Sequence, residues 1–262
     1  MRYKCVVLYD GSRYAGWQKQ SDDLTVQKTI EKAISRIVNH EVSIVASGRT
    51  DARVHALGQV FHFDTEKKIN NFKKAINSQL PPDIHIKSIE QVAEDFHSRF
   101  DAKYKHYEYF INNGEYNPCI ANYSCHIKDK LDIELIRQAG RLFVGTLDFT
   151  SFNATKLTEN ENQVRTIYKI GIRQKEDLVY ISFIGDGFLR YMVRMLTQTL
   201  IEVGLGKITV SDVKEMLDKK DKTACSYNAE AQGLFLVEVG YQEYQENMNQ
   251  AVFKFLEFET EQ

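Results

Sequence analysis

The stretch Ser47 to Phe63, SGRTDARVHALGQVFHF, places one carboxylate, Asp51, among Arg49, Arg53 and His55 on a short connection. The apolar run Val42 to Ala46 ahead of it and Val60 to Phe63 behind it read as buried strands, so the carboxylate is presented by a segment held at both ends. Arg49 and Arg53 stand two residues either side of Asp51, and in extended chain all three point to one side. Cations that close keep a partly buried carboxylate ionised and nucleophilic. The same residues also fit a surface loop with ordinary ion pairs, because structural pairs perturb titration as well.

Two further positions put reactive side chains on inward-facing elements. Between Lys103 and Phe110, alternation sends Lys105, Tyr107 and Tyr109 to one face of a strand. A tyrosine facing a cleft can stack on a nucleobase and accept or relay a proton, while an aromatic core strand reads the same way. Arg194 sits in an apolar helix whose Phe188, Met192, Met195 and Thr199 pack inward, so it demands an anionic partner.

The elements that must position these groups follow from hydrophobic spacing. Residues 3 to 9 alternate as a strand, and Thr25 is a helix N-cap ahead of Val26, Ile30, Ala33, Ile34, Ile37 and Val38. After the strands around Asp51, a helix carries Phe72, Ala75, Ile76 and Leu80 up to Pro81-Pro82, and Ile84 to Ile89 is a strand. That order is βαββαβ, the ferredoxin-like plan. It recurs as a strand at Tyr104 to Ile111, a helix with Leu135, Ile136, Ala139, Leu142 and Phe143, strands at Val164 to Ile172 and Leu178 to Ile184, a helix from Phe188 to Val203, a shorter one around Val213, and a strand at Leu234 to Val239. The fold class expected is α+β: two ferredoxin-like βαββαβ halves forming a pseudo-duplicated antiparallel sheet with a central cleft between them. The halves run 1–102 and 103–242, followed by an acidic amphipathic tail, 243–262, containing Val252, Phe253, Phe255 and Leu256.

With 43% hydrophobic and 27% charged residues, the 262-residue chain has an ordinary globular composition. No run approaches the length of a membrane span and no signal-peptide core precedes the first strand, so the cytoplasm is the expected compartment. Cys5, Cys119, Cys125 and Cys225 lack CxxC spacing, and Cys119, Cys125 and His126 have no second pair to complete a zinc site. A net charge of −2 argues against a nucleic-acid partner as a bulk property, but the tail from Glu243 holds −4 of it and leaves +2 on residues 1–242. An RNA groove would then be local, built from Lys67, Lys68, Lys73, Lys74, Lys103, Lys105, Arg137, Arg141, Arg165, Lys169, Arg190 and Arg194.

The segment around Asp51 resembles the signature of the TruA-type tRNA pseudouridine synthase family, Ser-Gly-Arg-Thr-Asp-Ala-Gly-Val-His-Ala. Tyr9 to Gln20 is similar to the family's opening Tyr-Asp-Gly…Gly-Trp-Gln-x-Gln. Thr25-Val26-Gln27, Asn77 to Ile84, Phe96 to Ala102 and Gly187 to Arg194 resemble further family blocks in the same order. The resemblance spans residues 3 to 241. It implies Asp51 as nucleophile, Tyr107 as the stacking residue and base, and Arg194 as partner of Asp51. By the same resemblance Arg49 assists extrusion of the base, and Leu234 contacts the uracil ring. The reaction so implied needs no cofactor and no metal. The partner implied is tRNA, at the anticodon stem-loop, met by a homodimer. Arg53 stands beside the nucleophile where the family has glycine, Arg190-Tyr191 replaces a commoner His/Tyr pair, and Asn228 to Ala231 replaces a segment usually written Ala-Pro-Ala. These departures leave open a divergent paralogue acting at another RNA site. An RNA-binding or chaperone-like protein without turnover is the reading from another class, and retention of Asp51, Tyr107 and Arg194 weighs against it.

Overall fold

The computed structural model describes residues 1–156, 158 and 161–245. Alternating or wholly apolar runs form ten strands: β1 (Arg2–Tyr9), β2 (Val45–Ala46), β3 (His55–Asp64), β4 (Ile84–Val92), β5 (Tyr104–Asn112), β6 (Cys125–His126), β7 (Gly145–Asp148), β8 (Val164–Lys175), β9 (Leu178–Gly185) and β10 (Leu234–Gly240). Five helices interleave with them: α1 (Val26–Val38), α2 (Phe72–Asn77), α3 (Ile133–Arg141), α4 (Met192–Gly204) and α5 (Val210–Lys219). One sheet takes the order β4-β1-β3-β10-β5-β9-β8-β7, with β2 added to β3 and β6 to β5.

Pairing along this sheet is antiparallel except at two places. The expectation of an antiparallel sheet is corrected where β10 runs parallel to β3, His55 opposite Phe235 and Ala56 opposite Leu236, and where β6 runs parallel to β5. β10 pairs antiparallel with β5, so Ala56, Leu236 and Tyr107 lie in one row across three strands. The loop carrying Asp51 ends at the start of β3 and therefore sits above this junction.

Helix α1 starts where Thr25 Oγ1 accepts from Lys28 N, and it buries Val26, Ile30, Ala33, Ile34 and Val38 against Val7, Phe61 and Phe63. Each fully buried Val or Ile contributes roughly 1.5–3 kcal/mol, which outweighs the weak helix propensity of β-branched residues. Asp132 caps α3 through Glu134 N and Leu135 N, and Thr209 with Asp212 closes a capping box on α5. Residues of β5 divide by alternation: Tyr107, Tyr109 and Ile111 join the large core beneath the helices, and Phe110 joins a smaller cluster with Tyr180, Phe235 and Val237 on the other face.

Two elements are shorter than their apolar patterns imply. Of Val42 to Ala46 only Val45 and Ala46 pair with β3, because the amide of Val42 donates to Ser35 Oγ and that of Ile44 to Glu31 Oε1, both side chains of α1. Helix α4 begins at Met192 instead of Phe188, since Tyr191 takes a left-handed φ of 62° that ends helical continuity. The tail is described only as far as Gln245, so its amphipathic run of Val252 to Leu256 lies outside the described residues.

Candidate active site

The connection from β2 to β3 is fixed at both ends and along its length. At its start Ser47 N donates to Val60 O at 2.8 Å and Ser47 Oγ to Gln59 Oε1 at 2.7 Å, while Gln59 Nε2 donates to Gly48 O at 3.0 Å. At its end Val54 N donates to Asp51 O at 3.2 Å. Residues of the opening block hold the middle. Trp17 N donates to Thr50 O at 3.1 Å, Arg53 N to Tyr14 O at 3.2 Å, and the Tyr9 hydroxyl meets Thr50 Oγ1 at 2.8 Å. Gly16 lies so close that a Cβ there would fall 2.7 Å from Thr50 O and 3.1 Å from Ala52 N, and its φ is +97°. Only glycine meets both demands, so this residue sets how near the opening block approaches the loop.

Asp51 faces Arg194, which comes from α4 on the far side of the β3–β10 junction. Arg194 Nη1 donates to Asp51 Oδ2 at 3.3 Å, with side-chain exposures of 14% and 26%. The guanidinium is itself pinned: Nε donates to Ala229 O at 2.7 Å, and the group lies 5.1 Å from the centre of the Tyr191 ring. Ala229 N returns a hydrogen bond to Arg194 O at 3.1 Å, and Tyr109 Oη donates to Glu230 O at 2.8 Å, anchoring the same segment to β5. Burial raises the proton affinity of Asp51 above the usual carboxylate range. Arg194, by charge and hydrogen bond, and then Arg190 pull it back part of the way.

Tyr107 stands beside this pair with its ring edge-on to Phe188 at 5.3 Å. Burial pushes its phenol well above the ordinary value, and the neighbouring Tyr9 and Asp51 add to the shift. Leu234 opens β10 opposite Tyr109 and is buried.

The other cationic residues of the loop do not act on Asp51 as extended chain would have them do. The backbone turns at Arg53, where φ is 66°, and both Arg49 and Arg53 are exposed. His55 is buried: its Nδ1 accepts from Gly11 N at 3.1 Å, Nε2 lies 2.9 Å from Asn122 O, and the ring stacks on Phe235 at 4.5 Å. Burial lowers its proton affinity, so it serves as a neutral strut. Arg190 is exposed, and its guanidinium lies on the Tyr191 ring 5.1 Å away. Cys125 is buried, Cys119 exposed, and His126 Nε2 meets Gly114 O at 3.0 Å. Sequence reasoning did not anticipate the structural work of Gly16, Thr50, Tyr109 and Ala229. A glycine beside the only tryptophan of the chain was the available signal for the first of them.

A partly buried carboxylate with an arginine across the junction and a phenol beside it is what comparison with known proteins puts in context. The family model described as tRNA pseudouridine synthase matches residues 5–101 and 139–242. The chain belongs to the tRNA pseudouridine synthase family. A "tRNA pseudouridine synthase A" from an Exiguobacterium species, strain AT1b, is 45% identical over 243 residues, covering 92% of this chain and 98% of that protein. Proteins of the same name from Exiguobacterium sibiricum and Acetivibrio thermocellus are 44% and 39% identical, over 92% and 91% of this chain and 97% and 98% of theirs. As a pseudouridine synthase the protein is an isomerase. Among the described residues no helix is long and apolar enough to cross a membrane.

Proposed function

We propose that this pseudouridine synthase converts uridine to pseudouridine in the anticodon stem-loop of tRNA, with Asp51 as nucleophile, Tyr107 as stacking residue and base, and Arg194 as the cation that orients Asp51. The observation that carries the reading is the 3.3 Å contact between Asp51 and Arg194, made across the junction of β3 and β10 and next to Tyr107. The reaction breaks the C1′–N1 bond, turns the uracil and forms C1′–C5; the C5 proton leaves and N1 gains one. The atoms of the substrate are conserved, so no oxidant, reductant or second substrate enters. A carboxylate held by arginine supplies charge at the sugar or base carbon, and the Tyr107 hydroxyl one strand away, which burial keeps protonated, relays the C5 proton by taking it as its own proton passes on toward N1. Because Asp51 keeps a quarter of its side chain exposed, a uridine must be turned out of its stack to reach it.

The fold reading that goes with this is two copies of one βαββαβ plan, 1–102 and 103–242. The strand orders β4-β1-β3-β2 and β10-β5-β9-β8 support it, since with the short β6 and β7 of the second half set aside each is the same permutation of first, second, third and fourth strands. The cleft then lies at the seam of the copies, and a homodimer presents two such clefts to tRNA. Arg49 and Arg53, exposed on the loop, contact RNA, and Leu234 flanks the uracil.

A second reading is favoured by one observation. Arg53 occupies a left-handed φ of 66° beside the nucleophile, a conformation that suits glycine, so its long cation is retained there at a backbone cost of about 1 kcal/mol. That cost is consistent with a contact that selects a different uridine. Pseudouridine mapping of total RNA from a strain lacking the gene, with and without the wild-type protein restored, tests both. Loss confined to the anticodon stem-loop supports the first reading, loss elsewhere the second, and no loss rejects both.

A further inference from the structure

Helices cover the Tyr107 side of the second half's sheet. On the other side Phe110, Tyr180, Phe235 and Val237 form a separate cluster, each between 2% and 7% exposed, which is the burial of a covered surface. All four come from strands, and among the described residues Tyr123 is the one hydrophobic group from outside the sheet that packs against them. Register sets two cations along the β8 edge of this face. Arg173 lies in a row with Tyr180 and Phe110, Lys169 in a row with Ile184 and His106, and both are exposed. Lys169 thus stands away from Tyr107 and apart from the cations of an RNA groove. The described chain ends beside the same face. After β10, Glu243 Oε1 lies 3.4 Å from Lys103 Nζ, and the Tyr244 ring stands edge-on to Tyr104 at 5.6 Å and stacks on Tyr168 at 5.2 Å. Tyr104 shares its face of β5 with His106, Glu108 and Phe110, and Tyr168 adjoins Lys169. The chain therefore crosses from β10 over β5 to β8 and stands at the Lys169 end of the face by Gln245.

We propose that this face is the docking surface for the chain's own tail, residues 246–262, with Val252, Phe253, Phe255 and Leu256 seated on the Phe110–Tyr180–Phe235–Val237 cluster, Glu246 toward Lys169, and Glu257 and Glu259 toward Arg173. Reach, charge and composition single out this occupant. Even at the rise of a helix the tail spans about 25 Å. The four strand residues from Lys169 to Arg173 span about 13 Å. Glu246, Glu257, Glu259 and Glu261 against the single Lys254 make the tail opposite in sign to the two cations. Its aromatic and aliphatic run has apolar surface to bury, and the cluster is the apolar surface nearest to where the described chain ends. The tail is also what this chain has beyond its relatives, since the family match ends at residue 242 and the relatives are matched almost whole by 91–92% of this chain. A face that a second copy could otherwise close is closed here in cis. The strands braced from behind include β5 and β10, which carry Tyr107 and Leu234.

Hydrogen exchange of the full-length protein, read by mass spectrometry at a low and a high protein concentration, tests this. Peptides from residues 246–262 should exchange at least about tenfold more slowly than the free synthetic peptide of that sequence, and equally at both concentrations. Phe253→Asp together with Phe255→Asp should bring them to the free rate. Arg173→Glu should speed them, and adding Glu257→Lys and Glu259→Lys to it should slow them again, because the swapped charges attract as the native ones do. The substitutions fall in the tail or at an exposed position of β8, and the wild-type measurement stands without them. Tail exchange at the free rate in wild type overturns the proposal. Protection that appears only at the high concentration gives the face to a second copy and overturns it as well. Protection that Arg173→Glu leaves unchanged places the tail elsewhere, with the same result.

Discussion

Asp51 and Glu108 are both carboxylates whose proton affinity is raised by burial, and they differ in what stands opposite them. Asp51 keeps 26% of its side chain exposed, receives a hydrogen bond from Arg194 and opens toward Tyr107. Glu108 projects from the opposite face of β5, is 1% exposed, and lies 3.4 Å from His106, which is 2% exposed. Among the described residues Glu108 Oε1 and both ring nitrogens of His106 have no hydrogen-bond partner. Burial pushes Glu108 up to about 7 and His106 down to about 4, so near neutral pH the imidazole carries no charge and the two are not an ion pair. The charge of Arg173 acts on Glu108 as that of Arg194 does on Asp51, so neither a shifted carboxylate nor a nearby arginine marks a reactive group; a direct hydrogen bond from the arginine and access for a substrate do. Surface hollows are no better guide. One is lined by Arg2, His40, Asp64 and Lys67 and another by Tyr3, Phe72 and Lys87, toward the end of β1 away from Tyr9 and the Asp51 loop.

The contrast is broken most severely by Asp51→Asn. Turnover should fall by about a thousandfold or more while tRNA affinity stays within a fewfold of wild type, since affinity resides in phosphate contacts. Stability moves the other way. A carboxylate with a raised folded-state proton affinity stabilises the fold below the ordinary carboxylate range and loses that contribution as pH rises through its folded value. The Asn variant should unfold at neutral pH at a midpoint no lower than wild type. A variant that loses both activity and several degrees of melting temperature would make Asp51 a structural residue like its counterpart on the other face.

Tyr107→Phe keeps the ring against Phe188 and removes the hydroxyl. Binding should persist and tritium release from C5-labelled uridine should slow by about a hundredfold to ten-thousandfold, the range for loss of a general base. Near-normal release would assign Tyr107 to packing. Arg194→Met should have a smaller and more diagnostic effect. Arg194 holds the Asp51 proton affinity down, so its removal raises it and moves the acidic limb of the pH–rate profile upward. An unmoved limb, with activity merely reduced, would separate the two side chains functionally despite their contact.

How far the sequence carried these conclusions differs between elements and site. Long periodic segments were legible: α1 runs Val26–Val38 as its spacing and Thr25 dictate, and β5, β9 and β10 end within a residue of their apolar runs. Short elements were not, because β6 and β7 owe their pairing to neighbours distant in sequence and carry no pattern of their own. Asp51, Tyr107 and Arg194 were each legible as residues, and the first and last as a pair only through family resemblance. Periodicity cannot say that α4 crosses to a loop 143 residues earlier. The local charges that spacing did offer, Arg49 and Arg53, are exposed, and the cations that act on Asp51 are Arg194 and Arg190 instead.

The gentlest change sharpens the comparison from its quiet side. Glu108→Gln replaces the carboxyl with a neutral group of the same shape on the face away from the cleft, so turnover should stay within twofold of wild type. Its effect appears in stability. Glu108 has a folded value of about 7 against an ordinary 4.5, so the folded state holds a proton that the unfolded chain has lost between those values. Wild-type stability therefore carries a Glu108 contribution that is complete below about 4.5 and declines as pH rises toward 7. His106, lowered from 6.5 to about 4, acts with the opposite sign and adds stability as pH rises from 4 to 6.5. Because the two windows overlap, the pair largely cancels in wild type, and removing Glu108 leaves His106 alone. The variant should gain stability with pH between about 4 and 6.5, match wild type near pH 4 and exceed it by up to about 3 kcal/mol at pH 8. Denaturant unfolding of both proteins across that range isolates the difference, since every other titrating group is common to the two. Equal stability at pH 4 and pH 8 would mean that Glu108 is ionised in the folded protein, and that its face of the sheet is as well solvated as the cleft that holds Asp51.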